Sequence, residues 1–247
     1  MVKVASYNIR KSVGTDWRRR PDRVLAVLAE IDADIVALQE VDRRFGERAS
    51  SLSPERIRHD TPYEAVPFGG LPRSLGWHGN AILVREGIEV LDHHRLILPA
   101  LEPRGAVLAD LRVGDRLVRV VGMHLGLLGL WRLRQAHGVL AALESLETHM
   151  PTVMMGDLNE WTTRRGCLLP FSEHHRVLAP GPSFPSKRPF ATFDRIITSP
   201  EIAVDGAGVH ASDRARTASD HLPVWARLTP PPTAAPREPA AAAEKVW

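Results

Sequence analysis

The chain has 247 residues, a formal net charge of +3 and one cysteine. That length suffices for a single well-buried domain. Cys167 alone excludes an intrachain disulfide and a thiolate metal site, and the small basic excess would suit a phosphate-bearing partner without implying nucleic acid by itself. Arg18-Arg19-Arg20, Arg43-Arg44 and Arg164-Arg165 cluster locally and read as solvated surface. No apolar run approaches the roughly 20 residues a membrane helix needs. Residues 1–6 alternate like a strand from the outset, so no secretory signal is expected and the cytoplasm is the expected location.

In chain order, residues 2–7 read as a strand, and Arg20-Pro21-Asp22 opens a helix with Val24, Val27, Leu28 and Ile31 at helical spacing. After the turn Asp32-Ala33-Asp34, residues 35–38 form a strand apolar on both faces, which requires cover on both sides and delivers Glu40 at its end. Residues 42–61 are dense in charge and read as a mobile surface segment bordering the substrate. Closely spaced strands follow at 63–68, 80–84, 88–91, 106–113 and 117–123, separated by Gly-rich or charged turns, which predicts antiparallel pairing. Leu130, Leu133, Ala136, Leu140 and Leu143 mark an amphipathic helix, with Arg132, Arg134 and Gln135 off its apolar stripe. A strand at 152–155, a Pro-rich stretch at 181–189 and strands at 193–198, 202–209 and 222–228 complete the domain, residues 1–228. From Thr229 onward Pro and Ala dominate, and residues 229–247 are expected to be an extended, disordered tail. No repeat of fixed period is visible, and periodicity alone supports a layered α/β domain.

Chemistry concentrates at the strand ends. Gly156-Asp157-Leu158-Asn159 follows the apolar run 152–155, and its glycine is expected to turn the backbone sharply so that both polar side chains reach one cleft. Ser6-Tyr7-Asn8, Leu38-Gln39-Glu40, Gly122-Met123-His124, Phe193-Asp194-Arg195-Ile196 and Ser219-Asp220-His221 place further oxygen or imidazole groups at comparable positions. The oxygen donors among them suit Mg²⁺ or Mn²⁺ rather than zinc. His93-His94 and His174-His175 have no Cys or His partner at ligand spacing and are assigned to surface or loop.

The ordered set resembles the motif series of the endonuclease/exonuclease/phosphatase superfamily over residues 2–228. The resemblance implies a four-layer α/β sandwich, two packed mixed β-sheets flanked by α-helices, that hydrolyses phosphoesters with Mg²⁺ or Mn²⁺. It also implies Glu40 as principal metal carboxylate with Asn8 and Asp220 beside it, and Asp157 orienting and deprotonating the attacking water. Asn159 would donate to a non-bridging oxygen. Asp194 would hold His221, either as a cation stabilising the phosphorane or as a base. His124 corresponds to a leaving-group histidine and is the candidate general acid; the Glu that supports this histidine in pancreatic deoxyribonuclease has no secure counterpart, Glu64 being merely nearest in order. Arg104 corresponds to a phosphate contact, and Asn80 to a position near the substrate phosphate or supporting the active-site floor.

Tyr is absent at position 124 and the run after Glu40 is Val41-Asp42, which disfavours the abasic-site endonucleases. A phosphodiester is the expected substrate, in nucleic acid or phospholipid, with a small-molecule phosphomonoester as the alternative and a non-catalytic binding module as a reading of another class. A monomer is expected. Leu127-Leu128-Gly129-Leu130-Trp131, beside His124, reads as packing at a helix start, with an apolar rim for lipid as the alternative.

Overall fold

The computed structural model describes residues 1–43, 49–69, 73–99 and 101–232. Most of the expected tail, residues 233–247, lies outside them. Twelve described strands form two six-stranded sheets. The first contains β1 (Val2–Asn8), β2 (Ile35–Gln39), β3 (Tyr63–Ala65), β4 (Ala81–Arg85), β11 (Ala203–Val209) and β12 (Val224–Thr229), in the order β11-β12-β1-β2-β4-β3. The second contains β5 (Glu89–Leu96), β6 (Gly105–Val113), β7 (Arg116–His124), β8 (Thr152–Asp157), β9 (Arg176–Leu178) and β10 (Asp194–Thr198), in the order β5-β6-β7-β8-β10-β9.

Each sheet has one parallel pair at its centre, β1 with β2 and β7 with β8, and antiparallel pairing elsewhere. Parallel neighbours need a crossover. Helix α1 (Pro21–Ile31) lies between β1 and β2 in sequence, and α3 (Gly129–Glu144) between β7 and β8. The inner faces of the sheets meet through Val4, Ile35, Ala37, Ile82, Val107, Val120, Val153, Met155 and Ile196. Because β2 and β8 also bury their outer faces, both read as continuous apolar runs. The outer face of the first sheet is covered by α1 together with α2 (Pro54–Asp60) and α5 (Asp213–Ala218), and that of the second by α3 and α4 (Leu168–His174). This is the expected four-layer sandwich.

Two local expectations change. Within 42–61, residues 44–48 lie outside the description, but α2 forms an anchored helix: Ser53 Oγ accepts the Arg56 N–H at 3.2 Å, and Ile57 is buried. On α3 the buried face is Arg132, Gln135, Ala136 and Val139, whereas Leu130 is exposed. The two polar residues turn inward because each has a buried partner. Gln135 Oε1 accepts the Gly126 N–H at 2.8 Å, and Arg132 lies against Glu160. His93 and His94 lie on the edge strand β5 and His174 closes α4; His94 and His174 are exposed, in keeping with the surface assignment.

Candidate active site

Register brings the chemistry together. In the second sheet Asp194 pairs with Asp157 across β10 and β8, and Asp157 with His124 across β8 and β7. Cross-strand partners share a face and lie about 5 Å apart, so three groups distant in sequence become a row. Gly156 makes the row possible in a way the sequence reading did not anticipate. It lies inside β8 rather than at a turn, and a Cβ there would sit 1.8 Å from the Met123 carbonyl oxygen. The first sheet contributes Asn8, opposite Gln39 in the parallel register, and Glu40 immediately beyond β2. Glu40 and Asn159 both adopt left-handed backbone, with φ of 54° and 51°, a conformation that side-chain-bearing residues seldom hold without compensation.

Asp157 is the hub. Asn8 Nδ2 donates to its Oδ2 at 3.0 Å, and the Asn159 N–H donates to its Oδ1 at 2.9 Å. His124 Nε2 stands 3.3 Å and His221 Nε2 3.7 Å from Oδ2. Burial opposes ionisation of this carboxyl, but His221, His124 and the Asn159 N–H prevail and hold it well below the usual carboxylate range. His221 is fixed from behind: its Nδ1 lies 3.0 Å from Asp194 Oδ2, to which the Ser183 hydroxyl also donates. Burial disfavours the imidazolium, yet Asp194, Asp157 and Asp220 raise its pKa to about 10. His124 therefore has a carboxylate partner, Asp157, which no sequence motif announced. Glu64, the acid nearest in order, stands exposed on the edge strand β3.

The two predicted metal carboxylates are held by cations of one left-handed turn, Arg10–Ser12. Lys11 Nζ pairs with Glu40, and Arg10 Nε is 3.2 Å from Asp220 Oδ2. Burial penalises the Glu40 carboxylate, but His124, Lys11 and Arg104 lower its pKa. Among the described residues no group of three or more His, Cys, Asp or Glu side chains is arranged to hold an ion. The donor chemistry does fit Mg²⁺ or Mn²⁺. Glu40 and Asp220 offer anionic oxygens facing cationic charge, and such ions complete their shell with water and substrate oxygens beyond one or two carboxylates.

Asn80 is fully buried and donates through Nδ2 to the Gly105 carbonyl at 3.1 Å. Asn159 Nδ2 donates one of its two hydrogens to the Leu125 carbonyl at 3.0 Å. Arg104 lines one small cleft with Lys11, Glu40 and His124. Its guanidinium contacts His124, donates to the Leu125 carbonyl at 3.1 Å and pairs with Glu102 at 2.9 Å.

Sequence reasoning missed Arg10, Lys11, Ser183 and the pair Arg132–Glu160. Arg132 Nε lies 3.4 Å from Glu160 Oε2, and Arg132 also donates to the Leu127 carbonyl. Glu160 accepts the Thr162 N–H at 3.0 Å and the Cys167 N–H at 3.4 Å. This pair stitches the loop after β7 to the loop after β8. A second acid three positions beyond Asp157 was the available signal.

The model of the endonuclease/exonuclease/phosphatase family matches residues 5–221, from β1 to His221. The chain belongs to that family. Its members are in general phosphoester hydrolases. YbhP of Escherichia coli K12, described as uncharacterized, is 27% identical over 255 residues, covering 92% of this chain and 95% of YbhP. Among solved structures, TDP2 of D. rerio in complex with a single-strand DNA product is similar with a TM-score of 0.69 and 16% identity, covering 92% of this chain and 98% of that one. A mannosyl-6-phosphatase of Bacteroides thetaiotaomicron is similar with a TM-score of 0.67 and 20% identity, covering 93% and 100%. At these identities the likeness is one of fold.

Proposed function

We propose that this family member is an Mg²⁺- or Mn²⁺-dependent phosphodiesterase in which water attacks phosphorus in line and no covalent enzyme intermediate forms. The observation that carries the reading is the Asp157 carboxylate, ringed by two imidazoles and the Asn8 amide and delivered from the ends of separate strands. Glu40, Asn8 and Asp220 would hold the ion, with Lys11 and Arg10 withdrawing from the two carboxylates. The ion supplies Lewis acidity, which polarises a phosphoryl oxygen and acidifies water. Ionised Asp157 aligns the nucleophilic water and takes its proton as the oxygen bonds to phosphorus. His221, cationic between Asp194 and Asp157, donates to the oxygen on which charge accumulates. His124, in the cleft with Arg104, would protonate the departing oxygen, and Arg104 would leave the imidazole for a phosphate oxygen, where its planar fork can bind bidentately. Residues 1–228 are the catalytic unit, acting as a monomer in the cytoplasm on nucleic acid or phospholipid.

A phosphomonoester substrate is the second reading, favoured by the similarity to the mannosyl-6-phosphatase. Release of p-nitrophenol from bis-p-nitrophenyl phosphate and from p-nitrophenyl phosphate, in Mg²⁺ or Mn²⁺, separates the two. The diester should turn over faster, and Asp157→Ala should lower its rate by about 10³ or more. Faster monoester turnover would favour the second reading, and full activity in Asp157→Ala would refute the site.

A further inference from the structure

The loops bordering His124 and Asp157 expose an apolar surface that the chemistry does not use. Leu127, Leu128 and Leu130 are 57%, 56% and 60% exposed, Leu101 is 67% exposed and Trp161 66%. The expected packing of this stretch at the helix start is therefore not what the structure adopts. Leu128 caps the N-terminus of α3 through its backbone and makes no side-chain cap, leaving its side chain in solvent. Leu101 and Leu128 line one groove with Trp131. Trp161 belongs to the facing loop, which Arg132 and Glu160 tie to the Leu127 backbone, and its ring stands edge-on against Phe193 at 4.6 Å. The patch is thus built on braced backbone beside the catalytic cleft.

Its charge is one-sided. Arg134, Arg164 and Arg165 are exposed in the same segments, and Arg134 lies over the Trp131 ring at 5.2 Å. The acids of residues 101–104, 125–134 and 158–167 are Glu102, paired with Arg104, and Glu160, buried with Arg132. Apolar side chains at a rim with arginines alongside and acids already engaged are complementary to an anionic lipid surface, where leucines enter the headgroup and acyl boundary and arginines meet phosphate. Single-stranded nucleic acid fits less well, because successive bases stack on a run of aromatic side chains, whereas four exposed leucines here accompany one exposed tryptophan, Trp161.

We infer that this face docks on an anionic bilayer and presents the catalytic cleft to it. The inference rests on the proposed hydrolase reading only for the purpose of docking, since adsorption requires no turnover. Sedimentation with sucrose-loaded vesicles of phosphatidylglycerol and phosphatidylcholine, against phosphatidylcholine alone, tests it on the full chain. The wild type should pellet with the anionic vesicles and release in high salt. Leu127→Ser/Leu128→Ser and Arg164→Ala/Arg165→Ala should each weaken binding at least tenfold while retaining wild-type hydrolysis of soluble bis-p-nitrophenyl phosphate and wild-type circular dichroism. Wild type that stays in the supernatant, or leucine variants that pellet as wild type, would overturn the docking surface. So would tight binding of a single-stranded oligonucleotide that the arginine variants lose, without vesicle binding. Vesicle binding without any turnover would instead remove the hydrolase reading and leave the surface standing.

Discussion

At Asp157 the balance of burial against partners decides the chemistry. Two imidazoles, an amide N–H and a backbone N–H keep it ionised where burial alone would neutralise it. A carboxylate so stabilised is a weak base, so on the proposed reading it would take the water's proton late, as the bond to phosphorus forms. His221 shows the opposite outcome. Its pKa is raised from 6.5 to about 10, burial being outweighed by Asp194, Asp157 and Asp220. A folded-state pKa above the unfolded one means that the contribution to stability is complete below pH ~6.5 and is lost as the pH rises through about 10. In metal-free protein, Asp194→Asn should therefore lower the imidazole titration of His221 followed by NMR, and should reduce the decline in urea midpoint between pH 7 and pH 10. With metal present the same variant should lose about 10²–10⁴ in kcat. An unchanged titration would mean that Asp194 does not hold the ring.

The elements themselves divide by what a sequence can display. Strand ends carrying Asn8, Glu40, His124, Asp157 and Asp194 were legible because β-branched and apolar runs terminate there in polar residues. Helices α2, α4 and α5, of seven, seven and six residues, were not, since under two full turns they display too little 3.6-residue periodicity to separate from loop. The support of His124 by Asp157 depends on the β7–β8 register, which no local pattern encodes. Arg132 falls off the apolar stripe of its helix in sequence and Glu160 belongs to no motif; here mutual pairing and carbonyl and N–H partners permit burial of both. Glu160→Ala would leave Arg132 buried without its anion and should cost about 3–5 kcal/mol in a denaturant titration. Glu160→Gln, which retains an acceptor for the Thr162 and Cys167 N–H groups, should cost less. Equal stability of Glu160→Ala and wild type would show that the two loops need no brace.

At the scale of the whole molecule, two sheets of the same plan face each other, each with a central parallel pair whose strands end at the cleft. Gly122 lies where they approach closely, a Cβ there falling 3.2 Å from that of Ala37. The first sheet brings the carboxylate and amide of Glu40 and Asn8, the second the row His124, Asp157 and Asp194, and the fold closes one onto the other. On the proposed reading, ion binding falls to the first sheet with Asp220, and proton handling is shared between the second sheet and His221, which precedes β12 of the first. Turnover of bis-p-nitrophenyl phosphate as a function of Mn²⁺ concentration, in wild type and Glu40→Ala, tests it most directly. The rate should saturate with Mn²⁺, vanish in EDTA, and in Glu40→Ala demand far more metal or fail altogether. Turnover that persists in EDTA, or a Glu40→Ala variant with the wild-type metal dependence, would contradict a metal-assisted hydrolase built at this site.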